Sequence, residues 1–292
     1  MNEILYLMRC LYVFVIIALI VTGCNGNNDP PCESFSAPDP CPWVLDYISY
    51  MNMPRPEDSY NFTMYPGSEE WDRLKLQAHY QIPDCVLKKM STQAVIQAVL
   101  EYPLNSFFIL SRYGDEEYFE TEYSTYFNSC TELLKRKDAG AALLERLRLM
   151  HPDGYSYQSK SLWLEWFFGH KIFLSQLKEA QKRQVVAICL RNYAIREDAW
   201  HEESDVVPPH KVVTFLLIGR TMLAAKYAPF IKAMNDEEEL RFFVNTVKKN
   251  EYGQPVGYPY FSRTVSDLDG PIRGVSSCQS IITFAKEYIS QK

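Results

Sequence analysis

From residue 69 to about residue 250, apolar residues recur at three- and four-residue spacing, and capping or breaking residues cut the run into segments, which predicts successive helices. Ser91 suits an N-cap, Met90 can pack on Val95, and Val95, Ile96, Val99 and Leu100 share one face of a helix that Pro103 ends. A second helix is expected over 104–112, closed by Gly114. A third, over 115–137, repeats Phe119, Tyr123, Tyr126, Phe127, Cys130 and Leu134. Asp138 is placed to cap a fourth whose Leu143, Leu144, Leu147 and Met150 face inward, before His151-Pro152-Asp153-Gly154 breaks it. Residues 161–174 are apolar nearly all round and predict one central helix. Helices over 178–199 and 211–226 follow, separated by Pro208-Pro209. Asn235-Asp236-Glu237-Glu238 reads as a capping-box start leading through Leu240, Phe243, Val244 and Val247.

The ends of the chain break this rhythm. Seven prolines between Pro30 and Pro56 oppose both helix and sheet, so residues 24–67 read as a Pro-rich tether, within which Trp43 to Ile48 is the one apolar exception. After Glu251 a Gly/Pro-rich stretch with alternating Tyr258, Tyr260 and Phe261 suggests a short hairpin or ordered loop, then a last helix over 277–290. The expected fold is all-α: roughly eight helices in an antiparallel bundle or short α-superhelix, forming one domain over 68–292.

The first residues carry a different signal. Arg9 precedes an apolar run over 11–21, too short for a spanning helix of about 20 residues, and the run stops at Cys24-Asn25-Gly26. Val21-Thr22-Gly23-Cys24 resembles the lipobox of bacterial lipoproteins. The resemblance implies removal of residues 1–23, a diacylglyceryl group on the Cys24 sulfur and acylation of its amine. Several acyl chains, at ~0.8 kcal/mol per buried CH₂, would hold the protein to a membrane permanently. It also implies an address: Asn25 is not the Asp that retains many lipoproteins in the inner membrane, which points to the outer membrane of a diderm bacterium, with the leaflet left open.

Composition narrows the function classes. A net charge of −6 with no basic stripe opposes nucleic-acid binding. Eight cysteines fit export: Cys10 leaves with the signal, Cys24 is lipidated, and Cys32 and Cys41 flank a Pro-rich turn that could close as a disulfide. Cys85, Cys130, Cys189 and Cys278 lack C-x-x-C spacing and read more as small buried hydrophobes than as chemistry, with their disulfide pairing open, and no zinc spacing or cofactor motif is present.

Two further stretches carry a second resemblance. Ile82-Pro83-Asp84-Cys85-Val86-Leu87-Lys88-Lys89-Met90-Ser91-Thr92, continuing to Leu100-Glu101-Tyr102-Pro103-Leu104, and Leu133-Leu134-Lys135-Arg136-Lys137-Asp138-Ala139-Gly140 resemble segments shared by an uncharacterised group of secreted bacterial proteins and lipoproteins. That kinship implies a helical envelope lipoprotein and transfers no site residue.

Three constellations are candidates for chemistry. Cys278, behind Ser276-Ser277 at a helix start, sits where a positive helix end would favour a thiolate nucleophile; against it, His79, His151, His170, His201 and His210 all precede it. Asp198, His201, Glu202, Glu203, Asp205 and His210 hold metal-ligand types, though a solvated helix end explains them equally. Aromatic content is high, with 20 Tyr, 16 Phe and 5 Trp. Trp163, Trp166, Phe167 and Phe173 read as core, while Tyr118, Tyr123 and Tyr126 in an acidic helix, with Tyr258 and Tyr260, are candidate ligand-binding residues. The function expected is a lipid-anchored, non-enzymatic binding or scaffolding module for a glycan, peptide or partner protein. The alternative is an envelope hydrolase or acyl-transfer enzyme with Cys278 as nucleophile.

Overall fold

A computed structural model describes residues 55–62, 81–102, 128–152, 160–199, 209–245, 248–249, 255–256 and 275–291. The described residues form α1 (Asp84–Leu87), α2 (Thr92–Leu100), α3 (Asn128–Lys135), α4 (Ala139–Leu149), α5 (Lys160–Phe168), α6 (Lys171–Leu174), α7 (Glu179–Ala199), α8 (Pro209–Ala224), α9 (Ala228–Asp236), α10 (Glu238–Asn245) and α11 (Val275–Ser290). One antiparallel pairing of two residues each, β1 (Lys248–Lys249) with β2 (Pro255–Val256), opposes Lys248 to Val256 and Lys249 to Pro255. The fold is all-α. Eleven helices stand among the described residues where the sequence pattern suggests roughly eight, because the segment over 161–174 is two helices and α1 and α9 form where none is expected. The helix expected over 104–112, most of that over 115–137, and the Trp43 to Ile48 segment lie outside the described residues.

Local chemistry explains α2. Ser91 is extended, and its hydroxyl accepts the Ala94 N–H at 3.2 Å, as the cap reading predicts. Every residue of α2 except Gln93 is buried, rather than one face only, because α3, α4 and α5 all pack on it. Leu143, Leu144, Leu147 and Met150 of the α4 segment point inward as expected. Asp138 precedes α4 but makes no cap bond; its carboxylate instead accepts the Thr92 hydroxyl at 2.8 and 3.0 Å, tying α4 to α2.

The single helix expected over 161–174 is two. Gly169 and His170 separate α5 from α6, with His170 extended at φ −78°, ψ 137° and its carbonyl accepting the N–H groups of Phe173 and Leu174. The break is sustained because Arg220 of α8 donates to the Gly169 carbonyl at 3.3 Å, replacing the bond a continuing helix would have made. The central placement holds: Ser161 to Phe168 are all buried.

The start at Asn235 also shifts. Asn235 and Asp236 close α9, Glu237 is extended, and α10 begins at Glu238. The α9 segment buries only Phe230 and Met234, too thin a stripe to announce a helix, and Pro229 rather than a capping side chain marks its first turn. Before it, α8 ends in a Schellman motif: Tyr227 N–H bonds the Met222 carbonyl, Lys226 N–H bonds Leu223, and Lys226 takes φ 55°.

The core centres on α8, which packs against α5, α6, α7, α9, α10 and α11. Its Val212, Val213, Phe215, Leu216, Leu217, Ile218 and Met222 are buried, and no helix of the described residues is long and apolar enough to cross a membrane. Residues 55–62, part of the stretch read as tether, lie against this body with Ser59, Asn61 and Phe62 buried.

Candidate functional site

Two clusters of charged side chains lie inside the helical body. The first joins α5, α7 and α8. Glu165, wholly buried, faces Arg196, whose Nη1 stands 3.0 Å from each carboxylate oxygen. The Thr214 hydroxyl and the Asn192 amide also donate to this carboxylate, the latter at 3.2 Å, and Arg196 Nη1 lies 3.0 Å from Thr214 Oγ1 while Nη2 reaches Ser161 Oγ at 2.8 Å. A buried carboxylate supplied with three kinds of donor is charge-balanced and held in one orientation. Cys189, on the same helix as Arg196, is buried with its thiol pushed well up by desolvation and further by Glu165, so it is protonated and inert.

The second cluster joins the segment 55–62 to α2 and α5. Arg55 makes a two-point ion pair with Glu101, which is fully buried, and also donates to the Tyr60 carbonyl at 2.7 Å. Gln97 donates to Glu101 from one turn earlier. Lys160, at the start of α5, places Nζ 2.8 Å from the Leu100 carbonyl and 4.7 Å from the Trp163 ring centroid, a cation at the carbonyl end of α2. Burial lowers its amine to about 8, opposed by the Glu101 charge. Sequence reading singled out neither cluster: Glu101 and Lys160 are separated by 59 positions and carry no motif.

The sequence candidates fall differently. Cys278 lies in the first turn of α11, as expected, but is only 7% exposed; its thiol is near Tyr193, whose hydroxyl donates to Glu197 at 2.8 Å and is pushed up by burial, by Glu197 and by Cys278. These are the surroundings of a packed thiol. His170 is buried edge-on to Trp166 at 5.0 Å, and His151 is exposed beyond α4. Trp163, Trp166, Phe167 and Phe173 are core, as read. Of the acidic loop, Asp198 is exposed at the end of α7 and His210 falls in α8, while His201, Glu202, Glu203 and Asp205 lie outside the described residues. Outside them too lie Cys24, Cys32, Cys41, Tyr118, Tyr123, Tyr126, Tyr258, Tyr260 and His79. No group of three or more His, Cys, Asp or Glu able to hold a metal occurs among the described residues.

One cysteine departs from the reading as a small buried hydrophobe. Cys130, Cys189 and Cys278 are buried thiols, but Cys85 is disulfide-bonded. It is only half-buried, in a one-turn helix beside exposed Asp84 and Lys88, which is a surface position open to a partner rather than a core one. No family model matches the chain, and neither a curated protein nor a solved structure matches it.

Proposed function

We propose that this chain is a lipid-anchored cell-envelope protein, held through Cys24, whose helical body is a non-enzymatic binding or scaffolding module for a glycan, a peptide or a partner protein. The observation that carries the reading is the disulfide at Cys85. Disulfides persist in the oxidising compartments outside the cytosol, which agrees with the export signal and lipobox at residues 1–24. The interior charges support the scaffold half of the reading: Glu165 and Glu101 are taken up by Arg196 and Arg55, an arrangement suited to holding helices in one register. By the absence of Asp after Cys24 we assign the outer membrane of a diderm.

Labelling cells with a palmitate analogue tests the anchor. Label should enter the wild-type chain, disappear in Cys24→Ala and fall under globomycin, with Cys24→Ala leaving the membrane fraction. Unchanged processing and membrane retention in Cys24→Ala would overturn it. Glycan-array and pull-down screens with residues 25–292 test the binding role; a saturable ligand is expected, and none in either screen would sink it.

A further inference from the structure

The disulfide at Cys85 has its partner outside the described residues, since Cys130, Cys189 and Cys278 are thiols. That leaves Cys10, Cys24, Cys32 and Cys41, all upstream of Arg55. The chain immediately after this stretch is fastened to the same part of the body. Asp58 accepts both the N–H and the hydroxyl of Ser91 at the start of α2, and Arg55 holds Glu101 at its end. Tyr60, Phe62 and Tyr102 pack edge-on in sequence, at 5.3 and 6.2 Å. Residues 55–62 therefore turn over α2 as a strap, with Asp58 at the start of the helix and Arg55 and Phe62 at its end.

We infer that Cys85 is bonded to Cys32 or Cys41, so that a covalent fastener at α1 and an ionic one at α2 hold the lipid-proximal chain against this end of the body. The inference rests on the lipid-anchored reading, because loss of Cys10 with the signal and lipidation of the Cys24 sulfur are what reduce four partners to two. It replaces the Cys32 to Cys41 loop expected from spacing: a sulfur bonded to Cys85 is not available to the other cysteine.

The leash shortens accordingly. From Cys24 to Arg55 is 55 − 24 = 31 positions, which at about 3.4 Å each extends to about 105 Å. To Cys41 it is 41 − 24 = 17 positions, about 58 Å, and to Cys32 it is 32 − 24 = 8 positions, about 27 Å. The body then rides close to the bilayer, and the face formed by α1, α2 and the strap is the one turned toward the lipid.

The test uses the full chain purified from membranes, with thiols alkylated before digestion by trypsin and by a glutamate-specific protease that cuts at Glu33, between Cys32 and Cys41. Under non-reducing conditions the Cys85 peptide should be joined to a peptide carrying Cys32 or Cys41, and reductant should separate them. A second measurement inserts a protease site after Gly67: the cut chain should migrate as one species on a non-reducing denaturing gel and as two after reduction, and Cys85→Ser should migrate as two in both. A Cys32 to Cys41 linkage with Cys85 alkylated, or two species without reductant, would overturn the leash while leaving palmitate labelling intact. A Cys24 to Cys85 linkage with no label would overturn the lipid-anchored reading, and the leash with it.

Discussion

Arg55 holds Glu101 at two points, Nε to Oε1 at 3.1 Å and Nη2 to Oε2 at 3.0 Å, across 46 positions of chain. Glu101 has no exposed side-chain surface, whereas that of Arg55 is 14% exposed. The carboxylate thus depends on a residue that arrives from outside the helices.

Arg55→Met should lower unfolding free energy by about 3 kcal/mol, since removing one partner leaves a buried charge uncompensated. Arg55→Met with Glu101→Leu should lose less than Arg55→Met alone. Urea titration of both variants checks this, and equal stability of Arg55→Met and wild type would show that the strap contributes nothing.

A similar asymmetry is expected at the centre. Arg196→Met strands Glu165 among α5, α7 and α8 and should cost about 3 to 5 kcal/mol, while Glu165→Leu with Arg196→Met recovers most of that. If the double variant is the worse of the two in thermal melts, the pair contributes net stability rather than fixing register.

Lys160 has an ordinary value of 10.5, lowered to about 8 in the fold. Between those values the unfolded chain binds more protons at this group than the folded one, so its contribution to stability rises with pH through that window and is least favourable below it. Tyr193 and Tyr288 are pushed up, so they act in the opposite sense at higher pH. The readout is therefore a difference: any advantage of Lys160→Met over wild type should shrink between pH 7 and pH 10. A pH-independent difference would contradict the assignment.

Two backbone substitutions should have opposite signs. Lys226→Gly relieves a left-handed residue at φ 55° and should add about 1 kcal/mol. Gly140→Ala, though a gain in helix propensity, would put a Cβ 2.5 Å from the Phe173 carbonyl oxygen and displace the Gln176 side chain that accepts the Gly140 N–H; it should lose about 1 to 3 kcal/mol. Differential scanning calorimetry of the two variants reads both shifts.

Local signals were legible wherever the chain decides its own conformation. Ser91, the inward row from Leu143 to Met150, and the apolar wrap from Leu162 to Phe168 depend on periodicity and capping, and each is as the residues suggest. The misread positions depend on partners far along the chain. Gly169 ends a helix because Arg220 takes its carbonyl, and Asp138 gives up its cap to Thr92. Cys85, grouped by spacing with three core thiols, is half-buried on the outer side of a one-turn helix that buries Leu87 instead. Glu101 and Lys160 were invisible for the same reason, since neither belongs to a motif and their meeting requires α2 and α5 to be in place.

The position of α8 in the chain has a kinetic consequence. A polypeptide synthesised from its amino end presents α2, α4, α5 and α7 before residue 209 appears, yet α5 and α7 both pack against α8. The Glu165 carboxylate then lacks its Thr214 donor until α8 is in place. A chain built this way completes its core only when its last third is present, so its folding yield should fall with truncation or slowed completion more steeply than its final stability would suggest.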